Sequence, residues 1–141
     1  MKTDRARILI TGASGFVGQH LQVYLQGQEY DVTTLPRNAL QETENARPYL
    51  NGVDTIVYCA GLAHQLNRMP SEGEYLEVNM HQAVRLAKLA TELGVMRFIF
   101  LSSIAVHGQA SSDAGFSEVD PCLGQDLYAK TKHQAECALL E

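Results

Sequence analysis

The sequence predicts an α/β fold built on an open, doubly wound parallel sheet, and three observations carry that prediction. Short apolar runs alternate with longer helical stretches along the 141 residues. The strongest runs are apolar without interruption, as in strands buried on both faces of a parallel sheet. The order strand, helix, strand, helix is that of βαβ units, whose crossovers are right-handed.

The elements follow in order. Ile8-Leu9-Ile10 is the first strand. Val17, Leu21, Tyr24 and Leu25 then recur at helical spacing, with Gly27 as the stop. Residues 30–35 form a weaker strand, with Val32 and Leu35 as its apolar positions. Residues 38–51 read as a short helix or as irregular chain. Residues 55–60 and 98–101 supply two further buried strands. Between them, Ser71 and Glu74 form a capping box after Pro70. Leu76, Ala83, Leu86, Ala87, Ala90 and Leu93 then make one apolar face, ended by Gly94. A polar loop over residues 109–118 precedes a last helix over residues 126–140. The whole reads as a single domain, residues 1–141.

Composition removes several classes of function. Hydrophobic residues make up 45% and charged residues 19%, which argues against a disordered or fibrous chain. Acids outnumber bases 16 to 11, for a net charge of −5, and no basic run stands out. No nucleic-acid partner is therefore expected. Lys2, Arg5 and Arg7 read as a solvated lead-in to the first strand. The best apolar stretch, residues 98–106, is short and broken by Ser102 and Ser103, so no membrane span is expected. The run at residues 8–10 is too short for a signal peptide. Cys59, Cys122 and Cys137 form no CxxC and read as buried or free thiols of a reducing, cytoplasmic setting. The five histidines lie far apart and share no ligand spacing, so no metal site is expected.

The glycine loop is the first motif with chemistry. Thr11-Gly12-Ala13-Ser14-Gly15-Phe16-Val17-Gly18 lies between the first strand and the first helix. Gly12 permits a tight turn, Gly15 lets a pyrophosphate approach the backbone, and Gly18 lets helix pack on strand. The N–H groups of Ser14, Gly15, Phe16 and Val17 at the helix start suit phosphate charge. Spacing and place together resemble the short-chain dehydrogenase/reductase superfamily, most closely its extended branch, the NAD(P)-dependent epimerase/dehydratase family. The resemblance implies a Rossmann-like fold and an NAD(P) cofactor.

The end of the second strand bears on which cofactor. An acid there binds a free ribose 2′-hydroxyl, whereas an arginine accommodates a 2′-phosphate. The segment reads Thr34-Leu35-Pro36-Arg37-Asn38, so Arg37 gives a weak preference for NADP. Asp31 stands too early in the strand to serve as the ribose acid.

Tyr128-Ala129-Lys130-Thr131-Lys132 contains YxxxK, which puts Tyr128 and Lys132 one turn apart on one helix face. An ammonium beside a phenol favours the phenolate and suits it to proton exchange. Leu101-Ser102-Ser103-Ile104-Ala105-Val106-His107-Gly108 is similar to the family's serine segment, and Ser103 precedes Tyr128 by 25 residues. The resemblance makes Ser103, Tyr128 and Lys132 the catalytic set. It adds Tyr58-Cys59-Ala60-Gly61, with Ala60 and Gly61 beside the cofactor, and Asn79 as the asparagine of E-x-N. Tyr128 and Lys132 count among the cofactor contacts as well. His64 and His107 read as loop or packing residues.

The resemblance covers nearly the whole chain and is closest to the amino-terminal part of nucleotide-sugar 4-epimerases, dehydratases and 4-keto reductases of surface-polysaccharide synthesis. It implies a nucleotide-sugar substrate. It also implies either a homodimer through the helices carrying Asn79 and Tyr128, or a missing C-terminal half. Two departures stand out. Ala63 occupies a place where some sugar epimerases carry a lysine. The interval from Arg37 to Val53 is short for another strand and its adenine-contacting aspartate. Relatives also continue well past YxxxK, whereas nine residues follow Lys132 here, so the chain reads as truncated before a substrate lobe. A non-catalytic NAD(P)-binding module and a remnant without independent activity are the alternatives.

Overall fold

Four parallel strands in the order β2-β1-β3-β4 organise the computed structural model, which describes residues 5–63, 67–108 and 113–141. The strands are β1 (Arg7–Thr11), β2 (Asp31–Leu35), β3 (Thr55–Tyr58) and β4 (Arg97–Phe100). The helices are α1 (Phe16–Gly27), α2 (Arg37–Gln41), α3 (Glu72–Leu76), α4 (Gln82–Glu92) and α5 (Leu127–Leu140). Residues Thr43–Leu50 and Ile104–His107 form 3-10 turns, and Glu77–His81 is a π-helical turn between α3 and α4. The described residues gather into two compact units. One holds residues 5–61 and 85–101, the other residues 62–84 and 102–141.

The first unit contains the whole sheet. Leu9, Ile10, Ile56 and Tyr58 are fully buried. Ile8, Ile10 and Val57 pack with Ala13, Leu21, Leu25, Val32 and Leu101, and Cys59 borders the same cluster. Tyr58 lies against Phe98 and Phe100, with ring centres 6.0 and 5.8 Å away. Register pairs Thr11 with both Leu35 and Tyr58, and Tyr58 with Phe100. The carboxyl ends of all four strands therefore share one edge. That is where the glycine loop, Arg37 and Ala60 emerge.

Three sequence expectations need correction here. Strand β4 was expected to be buried on both faces, but Arg97 and Ile99 are exposed. Among the described residues it pairs with β3 alone. The expected α1 face is rotated. Leu21 and Leu25 join the core, whereas Val17 and Tyr24 are exposed. Gly18 must face inward, which turns the buried line toward residues 18, 21 and 25. Finally, Cys59 and Ala60 leave the β3 ladder, because the Ala60 N–H donates to Thr11 Oγ1 at 3.1 Å instead.

Arg7 is more than a solvated lead-in. Its Nε donates to Asp31 Oδ2 at 2.8 Å and its Nη1 to the Asn51 carbonyl at 3.0 Å. Asp31 is thus engaged at the amino end of β2, away from the carboxyl edge.

In the second unit, the Ser71 hydroxyl accepts from the Glu74 N–H and the Glu74 carboxylate accepts from the Ser71 N–H. The sequence-predicted capping box is therefore formed. Bonding to the Ser71 N–H, and next to Arg68, holds the Glu74 carboxyl below its ordinary value. Helix α5 is capped by Asp126, whose side chain accepts from the Ala129 N–H at 2.9 Å. The expected polar loop falls partly outside the described residues, as does His64.

Candidate active site

The first unit builds its site from backbone. Gly12 has φ +65°, a left-handed conformation that a side chain strains. A Cβ there would stand 2.7 Å from the backbone of Ala60. At Gly18 a Cβ would meet the Gly12 carbonyl at 2.2 Å, so helix and turn touch directly. Gly15 caps α1, and its N–H donates to the Gly12 carbonyl at 2.9 Å. A Cβ on Gly15 would meet that same carbonyl at 3.2 Å. No side chain caps α1, and no acid stands in its first turn. Ser14, Gly15, Phe16 and Val17 are exposed around this opening. The loop therefore offers a bare helix start of the kind that receives a phosphate.

Three further sequence-predicted residues lie at the same sheet edge. Ala60 is fixed by Thr11, with Gly61 next to it. Arg37 is exposed and opens α2 two residues past the end of β2. Between Arg37 and Val53 the described chain forms α2 and a 3-10 turn rather than another strand.

The second unit builds its site from side chains. Ser103 is half-buried at the start of the 104–107 turn, where its Oγ accepts from the Ala105 N–H at 3.2 Å. Tyr128 is half-buried in the first turn of α5. Lys132, one turn later, is only 3% exposed. A lysine is almost never buried to that extent without a partner.

Asn79 is fully buried, and its amide is heavily engaged. Its Oδ1 accepts from the Leu62 N–H at 2.6 Å, while Nδ2 donates to the Leu62 carbonyl at 3.0 Å and to Thr131 Oγ1 at 3.1 Å. Thr131 in turn donates to the Leu127 carbonyl at 2.7 Å. Asn79 therefore fastens the segment after Gly61 to the helix turn between Tyr128 and Lys132. It lies in the π-helical turn, and such turns are frequent at functional sites.

Sequence reasoning missed three supporting residues. Thr11 and Thr131 are ordinary threonines whose hydroxyls acquire meaning only from distant partners. Gly124 is the third. A Cβ there would stand 2.5 Å from the Ala105 carbonyl, and its N–H donates to the Val106 carbonyl at 2.9 Å. It brings the chain before α5 against the turn that follows Ser103. His107 packs as expected, its ring 5.4 Å from Phe116 and Nδ1 3.4 Å from the Pro121 carbonyl.

A parallel sheet of this order, with a glycine turn leaving β1 for a helix, defines a Rossmann-like fold of the short-chain dehydrogenase/reductase type. The chain belongs to the NAD dependent epimerase/dehydratase family, whose model matches residues 8–141. It is 34% identical over 151 residues to the UDP-glucose 4-epimerase of Vibrio cholerae, covering 94% of this chain and 46% of that protein. Its fold matches that of MoeE5, solved in complex with UDP-glucose and NAD, at TM-score 0.82 and 27% identity, over 96% of this chain and 48% of the other. The dTDP-4-dehydrorhamnose reductase of Bacillus anthracis, solved with NADP, shares the fold at TM-score 0.84 and 19% identity, over 99% and 51% of the two chains. The chain thus spans about half the length of the relatives it matches. Among the described residues no helix is long and apolar enough to cross a membrane.

Proposed function

We propose that this chain carries the cofactor-binding and acid/base part of an NAD(P)-dependent enzyme acting on nucleotide sugars, as an epimerase, dehydratase or 4-keto reductase. The observation that carries the reading is Lys132, buried one helical turn from Tyr128. A charged group held in that position suits the control of a neighbouring phenol. The residues of the glycine loop fit a dinucleotide: Gly12 and Gly18 keep the turn against the sheet, and the start of α1 is open toward a pyrophosphate. Ala60 and Gly61 line the same edge.

The nicotinamide, when bound, supplies hydride exchange with a sugar carbon. Tyr128 gives or takes the proton of the sugar oxygen at its Oη. Lys132 favours the phenolate and holds the nicotinamide ribose. Ser103 donates through Oγ to the reacting oxygen and orients it. Asn79 is a positioning residue, because its amide is spent on Leu62 and Thr131. Arg37 favours NADP by offering a guanidinium to a 2′-phosphate where no acid stands.

The test uses the full natural protein with UDP- and dTDP-sugars. Tyr128→Phe should lower kcat by about 10²- to 10⁴-fold, the usual worth of a general acid or base. Unchanged turnover overturns the acid/base assignment. NADP should bind more tightly than NAD in direct titration, and the reverse order overturns the role of Arg37.

A further inference from the structure

One cluster of unlike ligand groups converges outside the acid/base set. Cys122 stands in the loop before α5, and His133 and Glu136 stand on α5 three residues apart. One ligand atom from each lies within 4.8 Å of the other two, and all three residues are half-buried. His133 Nδ1 and Glu136 Oε2 are 3.3 Å apart. A tetrahedral site with metal–ligand bonds of about 2.0–2.1 Å has edges of roughly 3.3–3.4 Å, so this pair already has the spacing of two ligands. The other ring nitrogen, Nε2, lies 3.8 Å from Cys137 Sγ. It therefore has its own neighbour to fix the ring, as ligating histidines usually do.

We propose that Cys122, His133 and Glu136 form a site for a zinc-class divalent cation, with solvent in the fourth position. Sulfur, imidazole and carboxylate together select zinc, because calcium and magnesium take oxygen ligands. Binding replaces the Cys122 S–H bond with an S–metal bond and releases that proton to solvent. Closing the site draws the thiol toward the pair on α5, from 4.8 Å or less to the tetrahedral spacing. It thereby ties the loop before α5 to the helix that carries Tyr128 and Lys132. Sequence spacing hides the set, since Cys122 is eleven residues from His133 and belongs to a different element.

The experiment titrates cobalt(II) into the reduced full-length protein and then displaces it with zinc. One equivalent should bind and give a thiolate-to-cobalt charge-transfer band. Cys122→Ser should abolish the band and weaken zinc binding by more than the roughly 10- to 100-fold typical of losing an outer-shell partner. Glu136→Gln should weaken binding and keep the band, and Cys137→Ser should keep the band and weaken binding by no more than the roughly 10- to 100-fold of an outer-shell partner. Circular dichroism identifies any variant that fails to fold. A variant-free readout stands beside it: zinc should protect Cys122 from alkylation, mapped by mass spectrometry. No saturable binding, a band that survives Cys122→Ser, or no protection of Cys122 overturns the proposal.

Discussion

The glycine loop and the segment around Tyr128 are made of different material. The loop in the first unit is backbone held close to backbone, and its geometry depends on side chains that are missing. Gly12 and Gly18 each sit where a Cβ would collide with main-chain atoms. The Tyr128 segment in the second unit is a side-chain arrangement fastened by a buried amide. Asn79 holds Leu62 and Thr131 through three hydrogen bonds. A site of the first kind fails when something is added, and one of the second kind fails when something is removed.

That contrast can be broken at three strengths. Gly12→Ala adds one carbon at φ +65° and 2.7 Å from the Ala60 backbone. Strain and overpacking together should cost about 3–5 kcal/mol, read by urea unfolding. A loss below about 1 kcal/mol would show that the turn relaxes and that its glycine is not required. Asn79→Ala removes the fastening and leaves the Leu62 amide and carbonyl without their partner. The expected loss is about 2–3 kcal/mol, at the upper end for unsatisfied buried polar groups. Hydrogen exchange should quicken at the Leu62 amide, and unchanged protection there would sink the fastening role.

Ser71→Ala is the mildest test, because it removes one side-chain cap at the start of α3. Such caps are typically worth about 1 kcal/mol, read as a shift in Tm. Acid should act on the same cap from the other side. The folded state depresses the Glu74 carboxyl, through the Ser71 N–H first and Arg68 next. Its contribution is therefore present above the ordinary carboxylate value and lost as pH falls through the depressed one. A pH titration of Glu74 followed by NMR should give a midpoint below that of an unbonded glutamate, and Ser71→Ala should leave the Ser71 N–H contribution in place.

Much of this was legible in the sequence, for physical reasons that differ by residue. The strands were legible because buried parallel strands cannot hide their apolar runs. The glycine loop was legible because glycines at fixed intervals leave few other uses. The 71–74 capping box was legible because it needs four consecutive residues. Strand β4 differs from its apolar reading at Arg97 and Ile99, whose exposure among the described residues the run of residue types does not encode. The face of α1 misled because Gly18 has no side chain to count in an apolar periodicity. Asn79 could be named by resemblance, but its role depended on Leu62, 17 positions back, and Thr131, 52 positions on. No local pattern joins those three.

Thr131 has a consequence of its own. An α-helix turns about 100° per residue, so fixing one side chain fixes the rotational phase of its neighbours. Thr131 sits between the tyrosine and lysine of YxxxK and takes a hydrogen bond from Asn79 at 3.1 Å. It works as a set screw on a shaft, locking α5 at one angle about its own axis. The letters between the tyrosine and the lysine are therefore not filler. A pattern that scores only Tyr128 and Lys132 records what the helix presents and omits the residue that decides where it points.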